Sequence, residues 1–230
     1  LRPWIDVNNV GSMVLNEMEA RFEALELGKL ARPGTYYDLT RYRPVIHIEQ
    51  GIQEMVIPNT TIHYAGRQGG HDLLLLRLIE PHANAEHFVD SVLKLLVKVR
   101  VKKYVLLGSM YDAVPHTRPL LVSGYGMGRG AVEDARKAGI LPITYRGHST
   151  MVNLITKKAA DAGIDALVFI VSVPHYVVLE EDYVGKVRLM ELLNSLYDIP
   201  VDTEDLERAM EQRTIVNQRV DNSPEAKAMV

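Results

Sequence analysis

Cysteine is missing from all 230 residues, which removes disulfide scaffolds, thiolate metal sites and cysteine nucleophiles together. That absence fits a reducing compartment, and a cytoplasmic setting is the expectation. A basic excess is missing as well. With 26 Lys and Arg against 29 Asp and Glu the formal net charge is −3, and the densest basic groups, Lys94 to Lys103 and Arg41 to Arg43, are short, so no nucleic-acid surface is expected. Every unbroken apolar run is short and the N-terminus lacks a charged-then-apolar pattern, so neither a membrane span nor a secretory signal is expected. There is no Walker sequence and no G-x-S-x-G elbow, which disfavours P-loop phosphoryl transfer and the usual serine hydrolase. No internal repeat, low-complexity tract or long linker divides the chain. The expectation is one α/β domain over 1–216, followed by a polar tail over 217–230 that Ser223-Pro224 interrupts.

What is present is a core, since 47% of the residues are hydrophobic. Leu1 to Asn9 read as the tail of a first strand and its loop, with Asn8 or Asn9 able to cap a helix carrying Val14, Met18, Phe22 and Leu25 on one face. Residues 31–44 read as a loop. Val45 to Glu49 and Ile52 to Ile57 then form a hairpin about Gln50-Gly51, and Thr61 to Ala65 a further strand. Asp72 to Ile79 and Tyr104 to Leu107 lack alternation, as strands buried on both faces do, and a helix carrying Phe88, Val92, Leu95, Leu96 and Val99 lies between them. That unit predicts a right-handed parallel crossover. Gly124 to Gly130 reads as a glycine-rich loop and Ala131 to Ala138 as a helix. After them come a strand at Ile140 to Tyr145, a helix at Met151 to Ala162 and a strand at Ala166 to Val173. An amphipathic helix at Val184 to Tyr197 precedes a last one capped by Asp202 or Thr203. The alternation predicts an α/β fold with a mostly parallel central sheet.

Three Pro-His dipeptides, Pro81-His82, Pro115-His116 and Pro174-His175, each follow an apolar strand. Parallel strands would bring them to one edge, where ligands of open α/β sheets dock. With Glu80, Asp112, Thr117 and Arg118 they make a candidate site for acid/base work or for an anionic ligand such as a phosphate or carboxylate. The competing reading has them capping strand ends or packing at a subunit interface. No two histidines share an i, i+4 spacing, so no metal is assigned. Gly126-Met127-Gly128-Arg129-Gly130-Ala131 matches G-x-G-x-x-A, yet the following strand ends in Arg146-Gly147 with no acidic residue for a ribose. A crossover loop is preferred there, and no cofactor is expected.

Leu76-Arg77-Leu78-Ile79-Glu80-Pro81, Val105-Leu106-Leu107-Gly108 leading to Pro115-His116-Thr117-Arg118-Pro119, and Val173-Pro174-His175-Tyr176 together resemble the proteasome assembly chaperone 2 family, in its bacterial branch. Trp4-Ile5-Asp6, Tyr36-Tyr37-Asp38 and Arg43-Pro44 extend the likeness over nearly the whole chain. The resemblance implies a three-layer α/β/α fold like that of nucleoside phosphorylases, a homo-oligomer, often a trimer, and kinship with chaperones of proteasome α-rings. It implies no catalytic residue. Family members that dock on proteasomes use a C-terminal hydrophobic-Tyr-any tripeptide, whereas this sequence closes on Ala228-Met229-Val230. Relatives often carry a Gly-Pro-Thr-Gly-like turn where this chain has Tyr145-Arg146-Gly147-His148-Ser149-Thr150. The expected function is non-enzymatic assembly or interaction, with proteasome subunits as possible partners. The alternative is a small-molecule enzyme or binder at the sheet edge.

Overall fold

The computed structural model describes residues 5–228, so the start of the expected first strand and the last two residues lie outside the described chain. In chain order the elements are α1 (Val10–Arg21), β1 (Leu25–Lys29), β2 (Val45–Glu49), β3 (Ile52–Val56), β4 (Thr61–Ala65), β5 (Leu73–Arg77) and α2 (Ala85–Lys98). They continue as β6 (Lys103–Asp112), β7 (Val122–Met127), α3 (Arg129–Lys137), β8 (Leu141–Pro142), α4 (Met151–Asp161), β9 (Asp165–Pro174), α5 (Tyr183–Tyr197), α6 (Thr203–Asp221) and α7 (Pro224–Lys227). No helix among the described residues is long and apolar enough to cross a membrane.

β9 explains the layering. Its side chains alternate between faces, and both are apolar: Ala166, Val168 and Ile170 enter one core with α2 and α4 residues such as Phe88, Val89, Leu96 and Ile155. Leu167, Phe169 and Val171 enter a second core with Val10, Val14, Leu189, Met190 and Leu193 of α1 and α5. A strand without a wet face must lie inside a sheet with helices on both sides. It does, in a four-stranded sheet of order β6-β9-β7-β8.

The sheet is mixed rather than mostly parallel. β6 runs parallel to β9 and β7 parallel to β8, but β7 runs antiparallel to β9, so the strands form two pairs pointing opposite ways. The parallel crossover expected over 72–107 is not formed either. β5 pairs antiparallel with β4 in a separate sheet of order β1-β4-β5, and α2 passes from that sheet to β6. β2 and β3 make the expected hairpin as an independent two-stranded sheet.

Several boundaries moved for local reasons. The first helix starts at Val10 and stops at Arg21, since Glu23 adopts φ +47 and turns the chain into β1. Asn9 holds the N-cap position without a capping bond; instead the Asp6 carboxylate accepts from the amides of Gly11 at 2.5 Å and Ser12 at 3.2 Å. β6 outlasts its apolar run because the chain at Ile5–Asp6 lies along it: Ser109 N–H donates to Ile5 O at 2.5 Å and Ser109 Oγ to Val7 O at 2.6 Å. The expected polar tail is helical instead. α6 runs on to Asp221 and α7 to Lys227, with Val220 buried beside Val216 and Val177.

Candidate functional site

β6 and β9 end together, and their register sets Asp112 opposite Pro174. His175 therefore emerges beside Asp112. Its backbone N–H donates to Asp112 O at 3.2 Å and its Nδ1 lies 3.3 Å from the same oxygen, while Asp112 Oδ2 accepts from Ser172 Oγ at 2.9 Å. His116, from the loop after β6, is buried against Tyr176, whose hydroxyl lies 2.9 Å from both His116 N and His116 Nδ1. Burial holds that imidazole below its ordinary value, with Arg213 acting the same way, against a smaller rise from Asn217 and Asp221. Thr117 and Arg118 stand exposed on the same loop.

Glu80 and His82 belong to a different constellation, because β5 is not a strand of this sheet. Glu80 Oε1 accepts from Met151 N–H at 2.9 Å and so caps α4, whose N-cap residue Thr150 makes no capping bond. That places negative charge where the helix dipole favours it. His82 packs its ring on Tyr42, 4.6 Å between centroids, and its Nδ1 accepts from Asp38 N–H at 3.1 Å. The structure thus unites Asp112, His116 and His175, with Thr117 and Arg118 on the adjoining loop, and parts them from Glu80 and His82. Among the described residues no three His, Asp or Glu side chains gather as metal ligands would.

An open pocket of about 440 Å³ adjoins His116 and is lined by His116, Thr117, Asn217, Val220, Asp221 and Lys227. Four of these lie in the stretch expected to be a tail. Their signal was the i, i+4 spacing of Val216 and Val220, which continues the helix past Asn217.

The glycine motif has a structural explanation. Gly128 adopts φ +93, and a Cβ at Gly128 or Gly130 would run into the Asp165 carboxylate, which covers the start of α3. A carboxylate holds the place where that motif would seat a pyrophosphate. Gly124 and Gly126 sit within β7 and bring its backbone against Val168 and Ala131.

The described chain also exposes apolar surface on an arm. All ten residues of β2 and β3 are exposed, and Ile52, at 75%, is the most exposed of its apolar side chains.

The model of a family described as the PAC2 family matches residues 1–219. No curated protein matches the chain. Among solved structures the chain is similar to the proteasome-assembly chaperone homologue of Mycobacterium tuberculosis, with 24% identity and a TM-score of 0.88 over 100% of this chain and 97% of that one. A PAC2 family protein from Streptomyces avermitilis shares 25% identity and a TM-score of 0.87 over the same shares. Pyrococcus furiosus PbaA, an archaeal homolog of proteasome-assembly chaperone, shares 16% identity and a TM-score of 0.65 over 98% of this chain and 92% of that one.

Proposed function

The chain belongs to the PAC2 family, and we propose that it works as a single-domain, chaperone-like assembly factor that binds protein. It acts as a homo-oligomer, a trimer by preference, on the three-layer plan shared with nucleoside phosphorylases, in the cytoplasm and without nucleic acid or membrane as partner. Proteasome subunits are the first partners to test, because relatives bear the names of proteasome-assembly chaperone homologues.

One observation carries this reading: the arm of β2 and β3 displays Val45, Ile46, Ile48, Ile52, Met55 and Val56 to solvent. A two-stranded hairpin alone is marginal in water, and apolar side chains bared on both of its faces mark a contact with another protein. Asp112, His116 and His175 at the sheet edge, by contrast, are engaged in holding the fold. Native mass spectrometry of the full-length protein captured from its own host tests the proposal. A homo-oligomer carrying proteasome α-subunits is the expected result, and a monomer without protein partners overturns it.

A second reading, an anion binder, has one observation in its favour: the pocket beside His116 with Lys227 on its wall. Asp221 pairs with Lys227 at 3.1 Å and weakens the attraction. Thermal-shift titration with inorganic phosphate decides it, since a bound ligand raises the midpoint with concentration.

A further inference from the structure

A second segment of the chain is left as unfinished as the arm. Residues 140–145 have the pattern of a full strand, yet only Leu141–Pro142 pairs with β7, and β8 is the outer strand of its sheet. Residues 141–149 are exposed throughout, with Leu141, Ile143 and Tyr145 among the large apolar side chains in solvent. β8 leaves the outer edge of its sheet unpaired, and an unpaired edge is a template for a strand from elsewhere.

The two unfinished pieces are complementary in charge. The arm, residues 45–57, carries Glu49 and Glu54 and no Lys or Arg; residues 140–150 carry Arg146 and His148 and no acid. Register places Glu49, Ile52, Glu54 and Val56 on one face of the arm with Val45 and His47. Apolar contact and ion pairing therefore come from a single face.

The pieces also share one end of the molecule. The arm leaves after Tyr42, whose ring packs at a tilt against His82, and Glu80, two residues earlier, holds Met151, where the 141–149 segment ends. Neither piece covers the other within the chain, since both are exposed. Neighbouring patches that differ in shape and charge suit a heterologous contact that closes into a ring about an axis at that end. Arm against arm would set like charges together.

We infer that the occupant of residues 141–149 is the arm of a second copy of this chain, with the Ile52–Glu54 face laid on Ile143, Tyr145 and Arg146. This rests on the oligomeric reading above and names its contact. On that face Val45, Ile52 and Val56, at 52%, 75% and 47% exposure, are the apolar side chains available to the contact.

The absence of cysteine makes the test clean. Full-length Ile52→Cys and Tyr145→Cys variants, both at exposed positions, are treated with a short bismaleimide alone and as an equal mixture. A covalent dimer in the mixture, and little in either variant alone, is the expected result. A dimer from Ile52→Cys alone means arm-on-arm packing and overturns the inference. No adduct while sedimentation still gives an oligomer overturns the contact and leaves the oligomeric reading standing; a monomer overturns both. As a second measurement, Glu54→Arg or Arg146→Glu weakens self-association about tenfold or more, and the two together restore it. If the pair does not restore it, the assigned contact is wrong.

Discussion

Tyr176 and His116 are joined twice through one oxygen: the Tyr176 hydroxyl takes the backbone N–H of His116 and sits 2.9 Å from its Nδ1. A hydroxyl with one proton and two lone pairs can accept from the amide and still share a hydrogen bond with the ring nitrogen. The Pro115-His116-Thr117-Arg118-Pro119 loop is thereby pinned to the end of β9. Tyr176→Phe strips both partners and should lower stability by about 1–3 kcal/mol. Denaturant unfolding reads this as a fall in midpoint without a change in slope.

The same pair gives a pH dependence. Burial lowers the folded value of His116 below the ordinary 6.5, so between those two values the unfolded chain binds more protons than the folded one. Stability from this group is complete above the unfolded value and is lost as pH falls through the folded value. Thermal midpoints followed from about pH 7.5 to about pH 5 should fall more steeply for the natural chain than for His116→Gln. Parallel slopes would contradict it.

Lys186 is buried on α5 between Asp205 of α6, at 2.5 Å, and Glu17 of α1, at 3.7 Å. Removing one member of a buried ion network strands the others, so Lys186→Met should cost about 3–5 kcal/mol. Urea midpoints of Lys186→Met and of Lys186→Met with Asp205→Leu check this. The paired variant should recover part of the loss.

Gly128→Ala should destabilise by about 1–3 kcal/mol, because its φ of +93 suits few L side chains and its Cβ meets the Asp165 carboxylate. Adding Asp165→Ala should relieve much of that clash, a coupling that a double-mutant cycle on unfolding free energies measures. Additive losses would mean that the carboxylate is not the obstacle.

How much of this could be read from residues alone follows from which forces are local. β9 and α2 were legible because an apolar run and a helical stripe state their burial outright. The direction of β7 was not. Gly124 and Gly126 read as flexibility, whereas they serve close approach to Val168 and Ala131, a tertiary fact. β1 was hidden because Leu25 continues the helical spacing of α1, and only the positive φ of Glu23 ends the helix. At the site, parallel pairing of β6 and β9 brought Asp112 to His175 as the strand pattern implied. Glu80 and His82 went elsewhere because partner choice, here β5 with β4, depends on contacts that no local period encodes.

The central claim is that the exposed arm exists to hold another copy. Sedimentation velocity on the natural chain and on Ile48→Lys/Ile52→Lys tests it directly, since both side chains stand in solvent, at 69% and 75% exposure, and carry little of the monomer's own stability. The account predicts a homo-oligomer for the natural chain, and a folded monomer with an unchanged thermal midpoint or a modestly lower one for the variant. An arm variant that sediments as the same oligomer would contradict it.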